Sequence, residues 1–277
     1  MNKRKIIFRI FIYTAAVLIC LFSLFPILWG LSTSFKPEAL IYSQLPQWIP
    51  KQITFKHYNS ILSDARMIRY FFNSFVIAGA SAIIALITGV LGAYGFSRYK
   101  FPGNKTLLIS ILLTRLLPGA SLIVPFFITL RKLKMYNTRA GLILVFLIVT
   151  MPISIWLLKA FFDDIPYEIE EAATIDGCSA LGILTRIVIP ISLPAIAAVG
   201  TCIFIAVWNE FLLILVLTKG IELRTISVGL GFFIDEYGVK WGPLMAGSIL
   251  MSIPSIIVFI MFQKSLVKGL SEGAIKG

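Results

Sequence analysis

Long apolar runs broken by short charged segments dominate the chain. Six of the runs are long enough to cross a bilayer as helices: Arg9 to Leu31, Tyr70 to Phe96, Thr106 to Leu130, Ala140 to Phe162, Ile191 to Leu217 and Trp241 to Phe262. A hydrocarbon core of about 30 Å needs roughly 20 residues of helix. None of the runs alternates with period two, as a strand of a membrane barrel would. The pattern therefore predicts an all-α membrane protein of six transmembrane helices, forming a single transmembrane domain over residues 1–277. Six spans leave both termini on one side. The two longest polar connectors are residues 32–69, after the first span, and residues 163–190, after the fourth.

Composition narrows the class further. A chain that is 58% hydrophobic does not suit a water-soluble domain. Lys3, Arg4 and Lys5 precede the first run as they would a secretory signal, but the run is too long for a signal core and no small-x-small cleavage site closes it. It is read as an uncleaved first helix. Together with Arg9 these cations favour a cytoplasmic N-terminus, and hence a cytoplasmic C-terminus. The remaining charges do not decide orientation. With both termini inside, twelve Lys and Arg fall inside and twelve outside, the external set including Arg131, Lys132, Lys134 and Arg139. The net charge of +12 is accounted for by attraction to anionic membrane lipid, and no motif points to nucleic acid. The three cysteines, Cys20, Cys178 and Cys202, lack metal spacing, and the single histidine, His57, excludes histidine metal clusters and H-E-x-x-H proteases.

Within the spans, Ser81, Ala85, Gly89 and Ala93 recur every fourth residue, a smooth stripe that lets a neighbouring helix approach. Pro26, Pro118, Pro125, Pro152, Pro194 and Pro254 interrupt the helices, each leaving a carbonyl for other groups or cavity water to satisfy. Ionisable groups at such depth are rarer, because an Arg or Asp at mid-membrane costs about 2.5–3.5 kcal/mol on insertion scales. Arg115 falls near the middle of the third span, and Asn209 with Glu210 about two-thirds of the way through the fifth. These three are candidates for a hydrated translocation pathway or its gate; buried pairing, or bonds to backbone kinked near Pro118, would explain them structurally.

The connector at 163–190 is the most informative segment. Six of the thirteen acidic residues (Asp163, Asp164, Glu168, Glu170, Glu171, Asp176) lie within it, in fourteen positions. Pro166 suits a first helical turn, Asp164, Glu168 and Glu170 lie where the helix dipole favours negative charge, and Gly177 supplies a left-handed stop. A second short helix is expected from about Ser179 to Val188, leading through Pro190 into the fifth span. A well-capped surface connector explains much of this, but not why so much local charge is kept in one place.

Here the residues resemble a known family, the permease subunits of binding-protein-dependent ABC importers. Its cytoplasmic signature, E-A-A, three residues, G, nine residues, I-x-L-P, falls on Glu171, Ala172, Ala173, Gly177, Ile187 and Pro190, with Ile189 in place of the usual Leu. The likeness extends over nearly the whole chain and points to the sugar branch, in particular the second permease of maltose-type systems. Pro46 to Pro50 with Thr54 to Tyr58, Ala93 to Gly103, Trp208 to Phe211 and Gly269 to Gly277 carry it.

The resemblance implies a maltose-type importer fold and a multi-pass subunit of a prokaryotic cell membrane, working beside a second permease, a dimer of ATPase subunits and an external solute-binding protein. It makes Glu171, Ala172, Ala173, Asp176, Gly177, Ile187 and Pro190 the coupling element that docks on the ATPase, and carbohydrate the cargo. ATP and magnesium belong to the ATPase, since no Gly-Lys dipeptide of a Walker motif occurs in this chain. The chain is then a transport subunit and not an enzyme. Two other classes compete. An ion-coupled secondary transporter would place several carboxylates at mid-membrane and often inverted repeats, whereas only Glu210 is available and no convincing repeat is visible. A structural membrane protein would explain the helices and the packing stripe but not the coupling signature.

Overall fold

The computed structural model describes residues 3–43, 45 and 47–274, with side chains described for Arg4 and, within those ranges, from residue 7 to residue 263. Pro46 and Ile275 to Gly277, which carry part of the family likeness, lie outside the described residues, as do the side chains of Lys3, Lys5, Lys264 and Lys268. The chain divides into two compact units: Met1–Ile68 with Leu230–Ser252, and Arg69–Gly229 with Ile253–Gly277.

In the first unit, helix α1 (Lys3–Ser34) runs unbroken through Pro26. It is followed by the short helices α2 (Glu38–Ile41) and α3 (Lys56–Leu62), so the connector expected at 32–69 is partly helical. Its other elements are a two-residue hairpin, β1 (Ile234–Asp235) with β2 (Gly238–Val239), and the first turns of α14 (Trp241–Ala274). The single histidine has a structural place here. His57 is buried, its Nε2 is 2.9 Å from the Lys36 carbonyl, and a Cβ on Gly242 would overlap its ring. A glycine at that position is what lets α14 approach α3.

The second unit is built on α4 (Ala65–Arg98, from Arg69 onward) and α7 (Arg139–Asp163). The small-residue stripe packs them together. Ser81, Ala85 and Ala93 are buried, Ser154 Oγ donates to the Ala85 carbonyl at 3.1 Å, and a Cβ on Gly89 would overlap Ser154. A loop is pinned to the same helices by the buried Asn73, whose Nδ2 donates to the carbonyls of Glu222 and Arg224 while its Oδ1 accepts from Arg139.

Among the described residues four helices are long and apolar enough to cross a membrane, Ile7–Ser34, Ala65–Arg98, Arg139–Asp163 and Trp241–Gln263; there are six spans if each of two bent pairs counts as one. The bent pairs fall in the third and fifth runs, two of those that prolines interrupt. In the third, α5 (Asn104–Leu113) and the tight turn Thr114–Leu116 give way to a second tight turn, Gly119–Leu122, and α6 (Ile123–Lys132), with a bend of 99°. Pro118 is the cause. A residue before proline is pushed out of the helical region, and Leu117 is extended at φ −69, ψ 128. In the fifth, a bend of 79° falls at Ser192, between α10 (Ile189–Ile191) and α11 (Leu193–Trp208), where Pro190 and Pro194 each withhold a backbone donor. The same run breaks again at Asn209 to Phe211 before α12 (Leu212–Leu217). Pro152 and Pro254, by contrast, sit inside unbroken helices.

Gly89→Ala is expected to lower the melting temperature of the detergent-solubilised protein, because overpacking a close helix contact costs about 1–3 kcal/mol. Adding Ser154→Gly, which removes the opposing side chain, should recover part of the loss. Equal melting temperatures for Gly89→Ala and the parent protein would show that the stripe does not set the spacing of α4 and α7.

Candidate functional site

The acidic connector is held by the end of one helix and delivered by another. As α7 closes, Lys159 pairs with Asp163 one turn later, and the Asp163 carboxylate accepts from Ser97 Oγ of α4 at 2.6 Å. Ile165 turns inward and Pro166 (φ −57, ψ 134) takes the position before the first helical residue of α8 (Tyr167–Ile175). Glu168 and Glu170 occupy the first turn, where the unsatisfied N–H groups favour anions.

Glu170 is the residue that fixes α8 in place. Its Oε1 accepts from Arg98 Nε at 2.6 Å and its Oε2 from the Tyr94 hydroxyl at 3.0 Å. Arg98 spends its remaining donors on Ser97 Oγ (2.9 Å) and the Ile165 carbonyl (3.1 Å), and its guanidinium lies 4.4 Å from the centre of the Tyr167 ring. The Tyr167 hydroxyl donates back to the Ser97 carbonyl at 2.8 Å. The side chains of Arg98 and Glu170 are only 5% and 10% exposed. In such surroundings removal of one partner leaves an uncompensated charge, at a cost of about 3–5 kcal/mol. Every donor and acceptor of this clamp comes from the ends of α4 and α7, the short link at Ile165 or the start of α8.

Gly177 ends α8 as expected. At φ +81 it adopts the left-handed conformation, its N–H bonds the Thr174 carbonyl (3.0 Å), and the Cys178 N–H reaches back to the Ala173 carbonyl (2.9 Å). These are the paired bonds of a Schellman cap. Ser179 then caps α9 (Ala180–Ile183) by accepting from the Gly182 N–H at 3.2 Å. The helix continues through one wide π-type turn, Leu184–Val188, into α10. Ile183, Leu184 and Val188 are buried and anchor this second helix.

The signature residues divide by face. Ala173 is buried and Ile187 half-buried, whereas Glu171, Ala172, Asp176, Gly177 and Pro190 are exposed. Beside the exposed acids, Ile175 is 87% exposed and Leu181 and Ile169 are also uncovered. The outward surface of α8 is thus acidic, with large apolar side chains at its edge and on α9. The clamp itself escaped sequence reasoning. Tyr94, Ser97 and Arg98 lie in a stretch that carries family likeness, and Glu170 is one of the crowded acids, but nothing in their spacing shows that they meet. An Arg at the last residue of a long apolar helix is the available signal.

The breaks in the third and fifth runs place two of the three pathway candidates together. A cavity of about 370 Å³ is lined by Arg115, Glu210, Thr150 and Cys202 among mostly aliphatic side chains, with Phe146 as its aromatic member. Arg115 comes from the tight turn before Pro118, and its Nη1 donates to the Val149 carbonyl of α7 at 3.0 Å. Glu210 comes from the break before α12. Its Oε1 accepts from the Leu213 N–H at 3.0 Å, and its carbonyl accepts from Ser227 Oγ at 2.6 Å. The two charges line one space without forming an ion pair. Asn209 is not part of the lining: it is exposed and bonds the Ile205 carbonyl one turn back. Among the described residues no three His, Cys, Asp or Glu side chains converge to hold a metal.

Comparison with known proteins agrees with this geometry. Residues 85–272 match the family described as binding-protein-dependent transport system inner membrane component. The diacetylchitobiose uptake system permease protein DasC of Streptomyces coelicolor is 30% identical over 99% of this chain and all of its own length. The trehalose/maltose transport system permease protein MalG of Thermococcus litoralis is 33% identical over 99% of both chains. Among solved structures, a chain of a bacterial ABC transporter involved in import of the acidic polysaccharide alginate superposes with a TM-score of 0.83 at 25% identity, covering 95% of this chain and 98% of that one. With its signature segment, its broken helices and relatives that match it from end to end, the chain belongs to the binding-protein-dependent transport system inner membrane component family.

Proposed function

We propose that this chain forms half of the translocation pathway of an ATP-driven importer for a sugar or oligosaccharide, and that the segment from Glu171 to Pro190 couples that pathway to the ATPase. As a member of its family the chain is a permease, a transport subunit and not an enzyme. In this reading six spans cross a prokaryotic cell membrane, each bent pair serving as one, with both termini and the acidic connector in the cytoplasm. A second permease completes the pathway, an ATPase dimer binding ATP and magnesium docks on α8, and an external binding protein delivers the cargo. Relatives named for diacetylchitobiose and trehalose/maltose support the carbohydrate assignment.

The observation that carries the coupling role is the fixing of α8. A short helix resting on water alone would not pass on a push. Here Arg98, Tyr94 and Ser97 tie its first turn to the ends of two long helices, while its acidic face stays free. Displacement of that face by a partner moves the ends of α4 and α7 with it. Arg115 and Glu210, on broken segments beside α7 and α11, are the proposed pathway or gate residues. Asn209 belongs with them as a positioning residue at the break from which Glu210 projects.

The coupling role is tested by co-expressing the chain with its ATPase and second permease and measuring uptake of labelled trehalose, maltose and diacetylchitobiose. Gly177→Val forces a β-branched residue into the left-handed region, a strain of about 1–2 kcal/mol, so uptake should fall while the permease remains in the membrane. Gly177→Asn, which tolerates that conformation, should retain most of it. Arg98→Gln should release the ATPase in pull-down, and Arg98→Gln with Glu170→Gln should restore part of the association by removing the stranded charge. Normal uptake by Gly177→Val and Arg98→Gln together would remove the coupling assignment.

Arg115→Gln and Glu210→Gln keep much of the local hydrogen bonding but delete the charges from the cavity. Each is expected to reduce uptake several-fold in an importer that still assembles and hydrolyses ATP. Parental uptake in both would make these residues structural.

Orientation is checked by a single cysteine at Lys132, exposed at the end of α6, in a background lacking Cys20, Cys178 and Cys202. An impermeant maleimide should modify it in intact spheroplasts. Modification only after the cells are opened would invert the topology.

A further inference from the structure

A second cavity, of about 230 Å³, lies wholly within the first unit and takes no part in the reading above. Trp29, Lys36, Ser43, Gln47, Trp241 and Met245 are among the residues that line it. Its walls are fixed by the chain around it. The Lys36 carbonyl is held by His57, the Tyr42 hydroxyl donates to the Val239 carbonyl at 2.7 Å, and Ser43 Oγ donates to the Leu40 carbonyl at 2.9 Å.

One of its polar groups lacks a hydrogen-bond partner and another lacks a counter-ion. Lys36 is 3% exposed, and its ammonium lies 4.2 Å from the centre of the Trp29 ring, yet it is in none of the ion pairs of the described residues. Burial alone pulls its pKa below the usual lysine value, a cost that a bound anion would offset. Gln47 Oε1 is buried and has no hydrogen-bond partner among the described residues. The site therefore wants an acceptor, preferably anionic, for Lys36 and a donor for Gln47. Its depth narrows the choice. Trp29 and Lys36 lie at the end of the span Ile7–Ser34, and Trp241 and Met245 at the start of Trp241–Gln263. Paired tryptophans beside a basic residue at helix ends mark the head-group layer of a bilayer.

We propose that this cavity binds the head group of a membrane phospholipid, with the phosphate on Lys36 and a hydroxyl or ammonium donor of the same head group on Gln47 Oε1. Phosphatidylglycerol and phosphatidylethanolamine carry both functions. Phosphatidylcholine carries the phosphate but has no donor. The acyl chains would lie along the uncovered apolar side chains of α1, such as Phe25 and Leu28. The assignment is independent of the cargo and of the coupling role.

The test uses the assembled importer, delipidated in mild detergent and analysed by native mass spectrometry with equal amounts of the three lipids. The parent should retain phosphatidylglycerol and phosphatidylethanolamine over phosphatidylcholine by roughly tenfold, the equivalent of one charge-assisted hydrogen bond. Lys36→Gln should lose retention of all three, Lys36→Arg should keep it, and Gln47→Leu should bind the three alike. A cooperative thermal melting transition close to the parent's establishes that each variant has folded. Millimolar inorganic phosphate should not displace the lipid. Equal retention by the parent and Lys36→Gln, or complete displacement by inorganic phosphate, would overturn the proposal.

Discussion

The buried pairing of Arg98 with Glu170 is the constraint on which the functional half of this molecule depends. An Arg side chain that is only 5% exposed is costly without a partner, and a glutamate with side-chain exposure of only 10% is no better placed on its own. Each is tolerated because the other is there, and because Tyr94, Ser97 and the Ile165 carbonyl take up the remaining hydrogen-bonding capacity. Breaking such a network costs more than forming it gains, because a half-satisfied buried charge is worse than none. This asymmetry gives the connector one orientation relative to α4 and α7. It also explains why Glu170, one residue before the signature, faces inward while Glu171 faces out: on a helix of 3.6 residues per turn, consecutive residues point about 100° apart.

The breaks at Pro118, Ser192 and Asn209 follow a second constraint. A backbone group in hydrocarbon must find a partner, so irregular chain at membrane depth survives only where other groups serve it. At the last break they do: the Glu210 carboxylate takes the Leu213 N–H and Ser227 takes the Glu210 carbonyl. At the first, Arg115 leaves its own helix to bond the Val149 carbonyl. Glu210 is thus part of what makes the last break possible, and the breaks bring both charged residues to one cavity. For Glu210 the structural role and the proposed pathway role are not alternatives, because the break whose backbone it serves also borders the cavity.

Much of this was legible in the sequence. Apolar runs gave the long helices to within a few residues at most ends, and the stripe at Ser81, Ala85, Gly89 and Ala93 gave the face along which α4 meets α7, because those signals are local and periodic. The cap at Gly177 was legible because a left-handed residue after an acidic helix leaves few other choices. The size of the bends in the third and fifth runs was not legible, because hydropathy averages over a window and does not register direction. Pro118 and Pro194 were noted as interruptions, but Pro152 and Pro254 have the same local chemistry and sit in unbroken helices; the surrounding packing decides which proline turns the chain. The clamp was invisible for a different reason. Arg98 and Glu170 are 72 residues apart, and pairing at that distance is a property of the fold.

The same reasoning bears on where specificity resides. A cavity lined mostly by aliphatic side chains, with one cation and one anion each already bonded to backbone, offers few free hydrogen-bonding groups to a hydroxyl-rich ligand. Tight discrimination among sugars needs buried polar groups whose loss of a partner is costly, and this wall supplies few of them. Weak contact suits a passage, since a ligand held strongly there would not leave. The residues that are firmly fixed lie at the acidic connector instead, where Arg98 and Tyr94 hold a helix whose exposed face is acidic. On the proposed reading the chain commits its strongest interactions to transmitting movement and its weakest to the cargo, a division suited to a subunit that works beside a separate binding protein and a separate ATPase.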